Sequence, residues 1–239
     1  KCRSMLDAFR EGGCFHSRTA VGMFDHVRKA VESGEVLLEK GEGGDDRPLV
    51  KDKFGSERRK AKTLNFSIAY GKTAHGLAID WGFKNTEDAK KLLDSWYKDR
   101  PEVLRWQVEQ KRLAKERGYI TTLMGRRRLL PDIQSRDRKL ISRGERAAIN
   151  TPIQGSAADI VMMAMIKIHS SKVLADLGWK LILQIHDEVI LEGPEESAAE
   201  ALEEVRRCME NPYDGHGLVP FDVDLTVDAK TAETWYDAK

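Results

Sequence analysis

Arg58-Arg59-Lys60-Ala61-Lys62-Thr63-Leu64-Asn65-Phe66-Ser67-Ile68-Ala69-Tyr70-Gly71 is the stretch on which the reading of the chain turns. Its apolar residues recur at helical spacing, so a helix is expected from Phe54 to Tyr70, with Gly71 as its stop. Arg58, Lys62, Phe66 and Tyr70 stand four apart. At about 100° per residue each step drifts by roughly 40°, which puts all four in one stripe about 120° wide. Two cations followed by two rings suit a ligand with a polyphosphate at one end and a flat ring at the other. Arginine offers a planar fork to phosphate oxygens, lysine a point charge, and the rings a stacking surface. The competing reading is an ordinary amphipathic helix with its aromatics in the core and its basic residues in water. Two motif matches nearby fail. Gly71-Lys72-Thr73 resembles the tail of a phosphate-binding loop, but the required upstream glycine position is Phe66, and the sequon Asn65-Phe66-Ser67 sits inside a helix.

Further along, Leu181-Ile182-Leu183-Gln184-Ile185 and Val189-Ile190-Leu191 flank the polar triplet His186-Asp187-Glu188. Two apolar strands, Lys180–Ile185 and Val189–Glu192, joined by an acidic turn are expected. Carboxylates backed by a dry sheet are costly unless a cation compensates them. Hard oxygen ligands on rigid strands are what Mg²⁺ chemistry on phosphates needs. A hairpin turn that merely uses the Asp and Glu that turns favour is the plainer alternative.

The 239 residues are 41% apolar and 33% charged, the composition of a globular chain rather than a disordered one. No run approaches the roughly 20 apolar residues of a membrane helix. Lys1-Cys2-Arg3-Ser4 has neither a starting Met nor a signal-like apolar core, which suggests a fragment. Three cysteines form neither a disulfide framework nor a zinc pattern. Net charge is 40 − 39 = +1, but its distribution is uneven. Lys111 to Arg146 holds twelve basic and four acidic residues, and Asp187 to the end holds fifteen acidic and four basic. Such polarity suits a polyanion on one surface and cations on another, although solvated helix faces give the same pattern.

Helical segments are also expected over residues 4 to 31, Thr86–Tyr97, Pro101–Arg117 and Pro194–Met209. Gly34 to Leu49 reads as an exposed loop. Tyr119–Leu123 and Arg128–Leu130 suggest a short hairpin. Thr151-Pro152 looks like the N-cap and first residue of a helix reaching about Leu177. A last strand is expected around Phe221–Val227. The layout is α+β: a helix-rich part, residues 1–147, then helices with antiparallel strands, 148–239.

Four segments, in this order, resemble the polymerase domain of family A DNA polymerases, the bacterial DNA polymerase I group. They are Phe15-His16-Ser17-Arg18-Thr19-Ala20, the Arg58–Gly71 stretch, Glu145 through Asp159 (with Asn150-Thr151-Pro152-Ile153-Gln154-Gly155) and His186-Asp187-Glu188-Val189. The wording of the loop and of Trp235-Tyr236 is most similar to plant and algal organellar members. The resemblance implies a partial right-hand fold, with a palm-proximal lead-in and fingers in 1–147 and a portion of palm, carrying the His186–Glu188 hairpin, in 148–239. It implies template-directed transfer from dNTP to a primer 3′ hydroxyl, with two Mg²⁺ in the intact enzyme. Arg58, Lys62 and His16 would hold the nucleotide phosphates, and Lys62 would protonate the leaving pyrophosphate. Phe66 would pack on the sugar and disfavour dideoxynucleotides. Tyr70 would stack near the templating position. Arg146, Asn150 and Gln154 would touch the primer–template minor groove, where acceptors are shared by all base pairs. Asp187 would ligate metal, with Glu188 and His186 supporting the metal and the primer terminus. Structural roles stay open for Arg59, Arg146 and His16.

By the same resemblance the second metal-bridging aspartate falls shortly before residue 1, so the 239 residues are expected not to polymerise by themselves. Asp187 is expected to face Arg58 and Lys62 across one cleft. A monomeric polymerase domain, partnered by primer–template DNA and dNTP with no membrane, is expected inside the cell, in a plastid or mitochondrion. A fragment of a phage-type RNA polymerase and a DNA-binding module without catalysis are the alternatives.

Overall fold

The computed structural model describes residues 2–10, 14–38, 46–214 and 221–238. Two compact units divide the chain. One comprises residues 1–121 and 126–153, the other Thr122–Gly125 and residues 154–239.

The first unit is built from helices stopped by glycine and proline. α1 (Arg3–Arg10), α2 (Phe15–Met23) and α3 (Asp25–Glu32) fulfil the helical expectation for the opening segment, apart from residues 11–13, which lie outside the described set. A short α4 (Val50–Lys53) then leads into α5 (Gly55–Ala69). α5 turns Ala61, Leu64, Asn65, Ser67 and Ile68 inward. Leu64 and Ile68 join Leu77, Leu93 and Trp96 in one core, to which α6 (Ala74–Trp81) and α7 (Thr86–Asp99) contribute. The burial of Asn65 and Ser67 disposes of the sequon, and Thr73 caps α6 by accepting from the Gly76 N–H. α6 has no counterpart among the sequence expectations. Its run Ala74-His75-Gly76-Leu77 looks like loop until the preceding helix buries Leu77.

α5 ends as expected. Gly71 has φ 66°, and the Lys72 N–H reaches back to the Ser67 carbonyl at 2.8 Å. A Cβ on Gly71 would also stand 3.0 Å from Ile149 Cδ1, so a left-handed turn and a close approach both demand glycine here.

Gly34–Leu49 is not a purely exposed loop. Residues 39–45 lie outside the described set, but Val36 and Leu49 are buried and Leu37 bridges Leu49 in parallel. Val36 fills a core with Val27, Ala30 and Val50, an attraction that local glycine content does not reveal.

α8 (Pro101–Arg117) matches its expected bounds, with Pro101 at the first turn and Gly118 (φ 76°) past the end. β1 (Tyr119–Thr121) and β2 (Arg127–Leu129) pair antiparallel as the anticipated hairpin. A 3₁₀ turn, Pro131–Gln134, follows. α9 (Arg138–Ser170) then corrects the sequence reading, because Thr151-Pro152 lies inside it rather than opening it. Asp137 is the actual cap: its Oδ1 accepts from Lys139 N–H at 2.8 Å. Thr151 is buried and accepts from Arg128 Nη1 at 3.0 Å, so its hydroxyl has a tertiary partner instead of a capping one. Buried Ala148 and Ile149 upstream keep the helix intact through Pro152. The helix ends at Ser170, and α10 (Lys172–Asp176) starts after the capping Ser171.

In the second unit β3 (Lys180–Ile185) and β4 (Glu188–Glu192) form an antiparallel hairpin with an irregularity between Leu181 and Leu183. A 3₁₀ turn (Glu195–Ser197) and α11 (Ala198–Glu210) occupy the span expected of one helix. Ile168, Leu174, Ala201 and Cys208 make the core, against which Trp179, Leu181, Val189 and Leu191 pack. The strand expected over Phe221–Val227 is absent. That segment does alternate half-buried and exposed residues, but a strand also needs a partner ladder, and the described residues form none there. α12 (Trp235–Ala238) closes the described chain. The fold is α+β, helix-rich with two small antiparallel hairpins. Among the described residues no helix is long and apolar enough to cross a membrane.

Candidate functional site

The stripe on α5 is a physical row. Lys62 Nζ stands 5.7 Å from the Phe66 ring centroid, and Phe66 stacks on Tyr70 at 6.3 Å with 19° between planes. Both rings are more than 40% exposed, so the amphipathic alternative, with its aromatics in the core, does not hold. Large rings left in water on a helix whose other face is buried are available to stack on a ligand. At the start of the row Arg58 donates from Nη2 to Cys14 Sγ at 3.1 Å. Its Nε–H is buried and without a hydrogen-bond partner among the described residues.

α2 brings His16 to this row. Its ring lies 5.7 Å from Phe66, and its Nδ1 is 3.0 Å from Asn65 Nδ2. Burial, with the charges of Arg58 and Lys62, holds its pKa below the usual histidine range. The ring is therefore neutral at pH 7, and the positive charge of the row belongs to Arg58 and Lys62.

Beyond Tyr70 the first half of α9 supplies a second wall. Phe66, Ser67, Tyr70, Arg146, Ala147 and Asn150 line a cleft of about 560 Å³. The close packing of Ile149 and Arg146 on Gly71 sets that wall against the end of α5. Arg146 is exposed and donates to Ser142 Oγ at 3.2 Å, while Asn150 Oδ1 is buried and unpartnered among the described residues. His16, Arg58, Lys62, Phe66, Tyr70, Arg146 and Asn150 thus all belong to the first unit, five along the row and two facing its aromatic end. Gln154, one turn further along α9, is exposed and belongs to the second unit.

The second unit presents the carboxylates. His186 and Asp187 form the two-residue turn between Ile185 and its pairing partner Glu188. His186 has φ 57°, the only positive value among described non-glycine residues, and Gln184 Nε2 donates to its carbonyl at 2.5 Å. Asp187 is thereby held at the tip, with Glu188 beside it at the start of β4. All three side chains are exposed, as are Ile182 and Leu183. The expectation of costly carboxylates on a dry sheet is corrected: water solvates them, and no cation is required to offset burial.

Several residues that serve the row escaped sequence reasoning: Asn65, Thr19, Trp96 and Cys14. The available signal was Asn65 itself, a polar residue between Leu64 and Ile68 on the inward face of a helix, which has to find buried partners.

The comparisons identify the family and the fold. The fold matches that of part of a polymerase domain. A solved structure described as the POL domain of Pol1 from M. smegmatis, in complex with DNA primer-template and dNTP, matches with a TM-score of 0.79 and 31% identity, over 99% of this chain and 37% of that one. The family description DNA polymerase family A matches residues 48–237, and the chain belongs to that family. DNA polymerase I A, chloroplastic/mitochondrial, of Arabidopsis thaliana is 55% identical over 242 residues, covering 100% of this chain and 23% of that protein. The thermostable DNA polymerase I of Thermus filiformis is 38% identical, over 97% of this chain and 24% of that protein. The chain thus spans roughly a quarter of the length of these curated relatives.

Proposed function

We propose that these residues are the fingers and a portion of the palm of a DNA-directed DNA polymerase, with the subdomain boundary near residue 147. The reaction is transfer of a nucleotide from dNTP to a primer 3′ hydroxyl. The observation that carries this reading is the row Arg58–Lys62–Phe66–Tyr70, cationic at one end and aromatic at the other, with the His16 ring against Phe66.

In this reading Arg58 and Lys62 neutralise the triphosphate, and His16 donates a hydrogen bond to it. Lys62 Nζ gives a proton to the leaving pyrophosphate, general-acid help worth roughly 10²–10⁴-fold. Phe66 packs on the sugar and Tyr70 stacks near the templating base. Arg146, Asn150 and Gln154 contact the minor groove, checking base-pair shape without reading sequence. His186 supports the primer terminus.

Asp187 and Glu188 would hold Mg²⁺. They fit that ion: both are exposed hard-oxygen donors at a hairpin turn, and Mg²⁺ binds through one or two carboxylates with phosphate and water completing its shell. Among the described residues no third His, Cys, Asp or Glu forms a metal-holding group with them. When bound, two such ions would activate the hydroxyl and neutralise charge on the phosphates.

The partners are primer–template DNA and dNTP, and the polymerase works as a monomer. The chloroplastic/mitochondrial relatives support a plastid or mitochondrial location.

Primer extension by the full-length protein carrying this chain tests the proposal. Asp187→Ala is expected to abolish synthesis while leaving primer–template affinity largely intact, and Lys62→Ala to slow incorporation by roughly 10²-fold or more. Substantial turnover by Asp187→Ala removes the metal role. Extension with rNTPs in place of dNTPs points to an RNA polymerase, and salt-sensitive DNA binding without any synthesis to a non-catalytic module.

A further inference from the structure

We propose that Asn65 is a positioning residue: oriented by Trp96, it holds His16 as the tautomer that carries its proton on Nε2. The inference rests on the reading of His16 as a phosphate ligand and adds what makes it a donor.

The chain of constraints begins at Trp96, which is 6% exposed and donates from Nε1 to Asn65 Oδ1 at 2.8 Å. An indole N–H can only donate, so the Asn65 oxygen must face it. The opposite amide orientation would set two buried donors against each other. Trp96 cannot easily turn away, because the Arg100 guanidinium lies 4.7 Å from its ring and Tyr97 meets it edge-on at 5.4 Å. With its oxygen fixed, Asn65 turns Nδ2 toward His16 Nδ1 at 3.0 Å and Thr19 Oγ1 at 3.1 Å. Thr19 can accept there while its own hydrogen goes to the Phe15 carbonyl at 3.0 Å, the shorter of its two acceptor contacts, the other being Asn65 Oδ1 at 3.3 Å.

An amide nitrogen has no lone pair to offer. His16 Nδ1 must therefore be the acceptor, and the single proton of the neutral ring sits on Nε2. Protonating Nδ1 would oppose it to the Asn65 N–H and break a buried network. The downward displacement of the His16 pKa by burial, Arg58 and Lys62 acts in the same sense. The outcome is a neutral N–H donor beside two cations. Such a donor can bind a phosphate oxygen without adding a third positive charge that would also hold the departing pyrophosphate.

Nitrogen-15 NMR of histidine-labelled 239-residue protein reads the tautomer directly, with the His16 signals assigned by their loss in His16→Ala. Wild type is expected to show an unprotonated, pyridine-like Nδ1 and a protonated, pyrrole-like Nε2. Asn65→Asp supplies only acceptors and is expected to move Nδ1 to the protonated position. Trp96→Phe keeps the packing volume but frees the amide, and is expected to give a mixture of tautomers. A protonated Nδ1 in wild type overturns the proposal, as do signals unmoved by both variants. Circular dichroism reports folding, and Trp96→Phe keeps the test open should Asn65→Asp unfold.

dNTP affinity separates this inference from the reading beneath it. Trp96→Phe is expected to weaken dNTP binding by about the factor by which it depletes the Nε2–H form, roughly twofold for an equal mixture, and to add nothing on a His16→Ala background. If His16→Ala leaves dNTP affinity unchanged while the tautomer shifts as expected, the phosphate role fails and the positioning role of Asn65 stands.

Discussion

His186 sits at the first position of a two-residue hairpin turn with φ 57°, where glycine is the usual occupant and a side chain costs about 1–2 kcal/mol. Histidine is among the residues that tolerate this region, whereas a β-branched side chain does not. His186→Val is therefore expected to lower stability by about 1–2 kcal/mol in urea unfolding, and His186→Gly to cost nothing or to gain a few tenths. Both should impair primer extension, if the imidazole rather than the turn serves the primer terminus. Equal stability for the two variants would show that the turn is unstrained. At this scale the row on α5 was legible because helical geometry fixes which residues share a face from spacing alone. The network behind it was not. The spacing of Thr19, Asn65 and Trp96 in sequence says nothing of their meeting, and only the packing of α2 and α7 on α5 pairs their polar atoms.

Element ends followed glycine and proline wherever those residues acted locally, as at Gly71, Pro101 and Gly118. Pro152 misled because the cost of one lost backbone bond in α9 is offset by tertiary contacts just before it, at Ile149 and Thr151. Close approach also governs the start of α9. A Cβ at Gly144 would come within 2.9 Å of both Ile133 N and Ile133 Cβ. Gly144→Ala is thus expected to destabilise the chain by about 1–3 kcal/mol despite the better helix propensity of alanine, as thermal unfolding would reveal. In the second unit Glu204 ties α11 to the start of α10, accepting from Ser171 Oγ at 2.6 Å and from Arg207 Nε at 2.7 Å. The Arg207 hydrogen bond is the main reason that its carboxyl is lowered to about 2. A depressed carboxyl pKa contributes stability above its unfolded value, near 4.5, and loses it as pH falls toward 2. Glu204→Gln should accordingly lower the melting temperature by about 2–4 °C at pH 7. That deficit should shrink below pH 4.5 and vanish near pH 2, and a pH-independent deficit would assign the effect to packing instead.

Across the whole molecule a net charge of +1 hides the basic stretch from Lys111 to Arg146, whose Arg136, Arg138, Lys139, Arg143 and Arg146 are exposed in the first unit. If this surface meets a DNA backbone, affinity of the full-length protein for primer–template should fall at least about tenfold between 50 and 200 mM salt, with little dependence on sequence. A flat salt response would return these residues to the status of a solvated face. From Asp187 onward the described acidic residues other than Glu204 and Glu210 are also exposed, and among them Asp187 and Glu188 stand out for their place at a hairpin turn rather than for burial.

The amino-acid sequence alone determined the α+β class, most helices, both hairpins and the identity of the α5 row, because each of these depends on residues within a few positions of one another. Tertiary structure decided the rest: that Val36 and Leu49 anchor a glycine-rich loop, that Thr151 is tied to Arg128 inside a helix, and that the 221–227 segment finds no strand partner among the described residues. It also decided which way the Asn65 amide faces and so which nitrogen of His16 holds the proton. Those outcomes depend on which buried donors meet which acceptors, and a linear pattern does not encode that pairing.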